Sequence, residues 1–173
     1  IYQLPDLIST THLGLALLFL VLATVLASAT SWSRNTSPLN ARAAGRITKC
    51  TVAVAALVFI QSVIGGLVRH ADAGMACPDV PLCLGRLVPP LVNTPIIIHF
   101  GHRLVGMLVL VAIVWLAIWG ARHGTTAAVR TVALLAAGLA VAQVSLGFLS
   151  VLTGLGVIPV SFHTLGAAAL LTA

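Results

Sequence analysis

The sequence predicts an all-α, polytopic membrane protein of five transmembrane helices, the last four forming a bundle and the first preceding it. Two observations carry this. Of 173 residues, 60% are hydrophobic and only 7% charged, against a charged share of about a quarter in soluble domains, so the solvent of this chain is largely lipid. The apolar residues also fall in five long runs, Leu13–Ala29, Cys50–Val68, Leu104–Gly120, Thr131–Leu152 and Val157–Ala173. With their flanks, these approach the roughly 20 helical residues that cross a hydrocarbon core of about 30 Å. Backbone in hydrocarbon must satisfy its own hydrogen bonds, and the absence of period-two alternation argues against a barrel.

The first helix lies in residues 1–32, with Pro5 near its start and His12 seven residues later. A loop over 33–49 follows and carries Arg34, Arg42, Arg46 and Lys49. The bundle occupies 50–173. Its second helix leads into a long loop, 69–95, where Arg69 and Arg86 are offset by Asp72 and Asp79. Pro95 opens the third helix, Arg122 and Arg130 flank the next turn, and the uncharged "GLGVIP" joins the fourth helix to the fifth. This bias of basic residues predicts an outside amino terminus and a cytoplasmic carboxyl terminus. Trp32, Trp115 and Trp119 fall near the cytoplasmic interface as anchors. The formal charge of +6 thus belongs to topology, and no nucleic-acid partner is expected. No signal peptide followed by a soluble domain is present, and the Arg- and Ala-rich loops favour a bacterial plasma membrane.

A short repeat suggests how the helices are grouped. "THLGLALL" (Thr11–Leu18) resembles "FHTLGAAALL" (Phe162–Leu171), and "QSVIG" (Gln61–Gly65) echoes "QVSLG" (Gln143–Gly147). If four helices make one unit, the first helix reads as the last of an earlier unit. The chain, which lacks an initiating Met, then reads as part of a longer protein.

Three helices running inward carry a histidine shortly after a proline: His12 after Pro5, His102 after Pro95 and His163 after Pro159. Proline suits a first helical turn, so the imidazoles are expected roughly 6–10 Å inside their helix starts, in one layer. Intramembrane ionisable groups are usually functional. No carboxylate accompanies them, which disfavours a closed zinc site. Haem needs only one or two imidazoles and an apolar pocket. His99 and His102 share one face of one helix, so the partner of His102 across an iron is expected from another helix. His163 is the candidate, and His12 is left for a second site. Arg103 and Arg69 could each pair with a haem propionate, or snorkel to the interface and mark a helix end. The pair Cys77 and Cys83, six residues apart in a Pro-stiffened loop, reads as a structural clip or as an exposed, reducible bond. Gly65, Gly66 and Gly147 suit close packing or room for a flat ring. Gln61 and Gln143 are expected to bond across helices. Cys50 is a small core residue, and His70 and His123 sit in loops with no role assigned.

"GGLVRHADAGMACPDVPLCLG" (Gly65–Gly85), "HFGHR" (His99–Arg103) and "FHTLG" (Phe162–Gly166), in that order, resemble the haem A synthase family over about 120 residues. The resemblance implies an eight-helix membrane oxidoreductase of two four-helix halves that oxidises a methyl group of haem O to formyl. One half, usually the carboxyl-terminal one, holds a haem b cofactor on two histidines. It implies that His102 and His163 are that axial metal-binding pair, that His12 is a ligand of the other half, and that Cys77 and Cys83 are the outer-loop disulfide. In the family's substrate half a Glu stands three residues before the ligand. His99 takes that place here; a His can carry protons near neutral pH, which makes it the catalytic candidate, or it is a spacer in the cofactor half. Haem O synthase, terminal oxidase assembly proteins and a second copy of the chain are the implied partners besides lipid. Two other readings compete: a membrane b-type cytochrome that only carries electrons, and a thiol–disulfide oxidoreductase acting through the cysteine pair.

Overall fold

The computed structural model describes residues 5–31, 41–122 and 127–172. Among them are five α-helices: α1 (Asp6–Ser31), α2 (Ala41–His70), α3 (Thr94–Arg122), α4 (Ala127–Leu152) and α5 (Val157–Thr172). The expected fold class holds. Four helices contain apolar stretches long enough to cross a membrane, Leu7–Ala29, Gly45–His70, Thr94–Arg122 and Val129–Leu152, while α5 is apolar but spans 16 residues.

Helices α2 to α5 form a bundle in which each packs on the next and α2 closes against α5; α1 lies outside it, against α2 and α5. One layer of the core joins Val58 of α2, Val109 and Ile113 of α3 and Ala140 of α4, with Leu170 and Leu171 of α5 beside them. Most large apolar side chains, such as Phe19, Leu108 and Leu135, point outward. An all-round apolar helix with so little buried is what lipid as solvent permits. Lipid tails give no hydrophobic drive between helices, so close approach at small residues holds the bundle. Gly66 lets α1 pack on the bundle in the same way, because a Cβ there would lie 2.5 Å from Leu13 of α1.

Helices α1 to α4 extend beyond their apolar runs. α3 starts at Thr94, capped by Asn93, whose Oδ1 accepts from the Ile96 N–H at 3.1 Å. Such a side chain satisfies one of the orphan donors of a first turn. Pro95 and Pro159 lie in the first turns of α3 and α5, and Pro5 immediately precedes α1. Arg46 and Lys49, expected in a loop, belong to α2, as does His70 at its end. Hydrophobicity marks where the bilayer is and not where backbone hydrogen bonding stops. Arg34, Trp32 and His123 lie outside the described residues, as does the side chain of Arg42. Trp115 and Trp119, one helical turn apart, stack with centroids 5.9 Å apart.

Residues 71–93 form a structured loop over one end of the bundle. It opens with a 3-10 turn at Ala73–Met75. Cys83 and Arg86 exchange backbone hydrogen bonds around a tight turn whose residues Leu84 and Gly85 have φ of 54° and 72°. Asp79 holds that turn, each carboxylate oxygen accepting one N–H, from Leu84 and from Gly85, both at 2.7 Å. The Gly85 N–H above all keeps the Asp79 carboxyl below its ordinary range, because hydrogen bonds to the ionised form favour it.

Candidate functional site

Just below this loop, His102 of α3 and His163 of α5 face each other with ring centroids 6.3 Å apart and planes at 84°. Helix geometry puts His102 roughly 12 Å and His163 roughly 9 Å along their helices from the loop end. Each ring lies on a glycine of the preceding helix. A Cβ on Gly65 would stand 3.0 Å from His102 Cε1, and one on Gly147 would stand 3.2 Å from His163 Cε1. Gly65 and Gly147 therefore serve close packing, each against an imidazole.

The repeat is thus also a repeat of contacts. Gln61, one turn before Gly65, and Gln143, one turn before Gly147, flank the same two rings. Gln61 Nε2 donates to the His102 carbonyl at 2.8 Å and lies 3.0 Å from His102 Nδ1, so the expected cross-helix bond is present. Its Oε1 is buried without a hydrogen-bond partner. Gln143 corrects the expectation. Its side-chain Nε2 is buried and has no partner; its backbone carbonyl makes the bond, to His163 Nδ1 at 3.0 Å. A carbonyl only accepts, so Nδ1 carries the proton and Nε2 keeps its lone pair. That is the tautomer a metal-ligating histidine needs, with its other nitrogen held by a carbonyl.

The spacing itself can be compared with a shared metal. Metal–imidazole bonds are about 2.0–2.1 Å, and ring bonds of about 1.35 Å put each nitrogen about 1.15 Å from its centroid. Two imidazoles on opposite sides of one metal then have centroids about 6.3–6.5 Å apart. The chain has three acidic residues, Asp6, Asp72 and Asp79, none in α2 to α5. Among the described residues no cluster of three or more His, Cys, Asp or Glu could hold a bare metal ion. A group that supplies its own equatorial donors and needs two neutral imidazoles fits this donor set.

The other candidate residues are placed elsewhere. His12 is exposed on α1, in a groove with Leu7, Ile8, Thr11 and Leu15, and does not join the pair. Arg69 is exposed in the last turn of α2, on the face of Gln61 and Gly65. Cys50 is a free cysteine, half-buried in α2.

His99 and Arg103, one turn apart on α3, are engaged by the loop. Cys77 and Cys83 form a disulfide, and of its two readings the exposed bond does not hold. The two residues are 0% and 2% exposed, packed on Ile96 and Phe100 of α3. The Arg103 guanidinium donates to the carbonyls of Cys77, Asp79 (2.8 Å) and Leu82 (2.7 Å), and through Nε to His99 Nε2 at 3.2 Å. Four of its five N–H groups are directed at these partners. Because a guanidinium only donates, His99 Nε2 must accept. The Cys77 backbone N–H points at Nδ1 of the same ring, at 3.4 Å. These partners were invisible in the sequence, because backbone carbonyls belong to every residue.

The sequence model of the COX15-CtaA family, described as cytochrome oxidase assembly protein, matches residues 3–173. A protein of Symbiobacterium thermophilum named heme A synthase is 36% identical over 166 residues, covering 87% of this chain and 53% of that protein. Proteins of the same name from Methylobacterium nodulans (32% over 122 residues, 62% of this chain and 33% of the relative) and Halalkalibacterium halodurans (39% over 71 residues, 41% and 24%) also match. The chain spans about half the length of the Symbiobacterium relative and less of the other two. A match over nearly the whole chain, on a helical membrane fold, establishes that this chain belongs to the COX15-CtaA family of cytochrome oxidase assembly proteins.

Proposed function

We propose that this chain is the cofactor-holding four-helix half, with one preceding helix, of a haem A synthase that oxidises the methyl group of haem O to formyl. The observation that carries the reading is the His102–His163 pair, at the centroid spacing of two imidazoles sharing one metal. The names of the relatives support the reaction. His102 and His163 would hold a haem b, which supplies one-electron transfer when bound. Gly65 and Gly147 leave the rings room, and Gln61 and the Gln143 carbonyl orient them. With His102 and His163 both given to the haem, this site would suit electron delivery, and the oxidation of haem O would belong to a second site outside this bundle. Arg69 is the residue we assign to a propionate, since it lies one turn from Gly65 toward the loop and is exposed. Arg103 and His99, bound to the loop, are assigned to positioning. The loop end is placed outside a bacterial plasma membrane, from the basic bias of the opposite end.

The reading is tested by reduced pyridine haemochrome spectra of wild type, His102→Ala and His163→Ala, purified from membranes. Haem b in wild type and its loss in both variants supports the ligand pair; unchanged haem b in both removes it. The catalytic part is tested in the complete protein, by haem A formation on coexpression with a haem O synthase. Haem b without haem A would favour a plain electron carrier. Thiol exchange as the activity is disfavoured by burial of both cysteines, because exchange requires access to a sulfur.

A further inference from the structure

The cysteine ring and Arg103 have a geometry that the reaction does not require. The disulfide closes residues 77–83 into a ring, and all three backbone carbonyls that accept from Arg103 belong to that ring: those of Cys77, Asp79 and Leu82. The planar guanidinium is thus held by converging dipoles with its charge spread over fixed acceptors. Asp79 ties the far side of the ring to the Leu84–Gly85 turn, and its negative charge lies near the guanidinium. The ring is also packed from below by Ile96 and Phe100. Ile96, His99, Phe100 and Arg103 recur at helical spacing on one face of α3. His102, the residue before Arg103, looks from the neighbouring face toward His163. The same loop also reaches the turn that leads into the other ligand helix. A Cβ on Gly74 would stand 3.0 Å from Leu155, which lies in the turn two residues before α5. Loop contacts therefore reach the helix that carries His102 and the turn that leads into the helix of His163.

We propose that the Cys77–Cys83 ring is a socket for the Arg103 guanidinium, and that socket and arginine together fix the helical turn carrying His102 relative to α5. Arg103 is a positioning residue in this scheme, and the disulfide acts by keeping three carbonyls convergent and not by exchanging electrons. An opened ring frees residues 77–83 to diverge, and the guanidinium loses its acceptors. A lysine in place of Arg103 keeps the charge but presents a single ammonium instead of a fork, so it cannot span the same three carbonyls. The link to ligand spacing rests on the proposed haem-holding role; the socket itself does not.

Hydrogen exchange over residues 96–104 tests the socket in the purified chain. Hydrogen bonds to a charged group are the strong ones, so Arg103→Ala is expected to raise exchange there roughly 10- to 100-fold. Cys77→Ser/Cys83→Ser should do the same, and the triple variant should add little to either, since both remove one device. Arg103→Lys, which keeps the charge, should resemble Arg103→Ala. Additive effects, unchanged exchange in the cysteine variant, or full protection in Arg103→Lys would each overturn the socket. The link to His102 has its own readout. In haem-loaded protein the same variants should shift the low-spin electron paramagnetic resonance signal and the haem midpoint potential. An unaltered signal and potential beside raised exchange would overturn the link. Failure of the wild type to bind haem would instead count against the functional reading, with the exchange data still deciding the socket.

Discussion

Replacing Gly65 with alanine puts a methyl group against the His102 ring. The new Cβ would stand 3.0 Å from Cε1, 3.6 Å from Nδ1 and 3.8 Å from Nε2. Carbon–carbon contacts are most favourable at about 3.5–4.0 Å, so the ring must retreat by roughly 0.5 Å or more. Metal–ligand distances tolerate only about ±0.2 Å, so a retreat of that size cannot be absorbed at the metal. Overpacking of this kind costs about 1–3 kcal/mol, and 1.4 kcal/mol is a factor of ten. Haem affinity should therefore fall roughly 5- to 150-fold. The helix itself gains, since alanine in a helix interior is favoured over glycine by up to about 1 kcal/mol. Without haem the His102 ring is free to retreat, so thermal stability of the haem-free protein should hold while haem affinity drops, a combination that general misfolding would not produce. The assay is haem b titration by absorbance, with electron paramagnetic resonance reporting the ligand field. Gly101→Ala is the control, because a Cβ there meets nothing within 4 Å. Wild-type affinity and an unchanged low-spin signal in Gly65→Ala would refute the argument that this ring is a ligand held against the glycine.

Three further outcomes follow from the same geometry. Gly147→Ala should act on His163 in the same direction but less strongly, since the contact there would be 3.2 Å; the same titration ranks the two. Gln61→Leu removes the carboxamide beside His102 Nδ1, and loss of such a supporting partner typically costs about 10- to 100-fold in metal affinity; haem retention during gel filtration measures it. Asp79→Asn should loosen the Leu84–Gly85 turn in a pH-dependent way. Because the folded carboxyl sits below its ordinary value, the stability it contributes is fully present above the unfolded value near 3.9. That contribution is lost progressively as pH falls from there through the lowered folded value. Exchange rates of the Leu84 and Gly85 amides, wild type against variant, should differ at neutral pH and converge below about pH 3.9.

Much of the site could be read from residue types. His102 and His163 stand out because a membrane interior makes any imidazole costly, and each comes shortly after a proline that marks a helix start. The glycines and glutamines were visible as a repeat before their contacts were known. The reading of His12 as a third member of the same layer considered depth along the helix without rotation about it, and the exposed side chain on α1 shows that rotation decides which imidazoles meet. Gln143 shows a different limit, because the group that bonds His163 is its main-chain carbonyl, which no residue type announces.

The sequence by itself determined the helices, their apolar outer surfaces and the identity of the facing histidines, since composition and spacing along one chain decide what lipid will accept. Tertiary structure alone decided that the disulfide is buried, that Arg103 is committed to three carbonyls of the ring, and that His99 accepts from Arg103. Those outcomes depend on where a 23-residue loop between α2 and α3 folds back, and its acceptors are backbone dipoles whose direction exists only once the loop has closed.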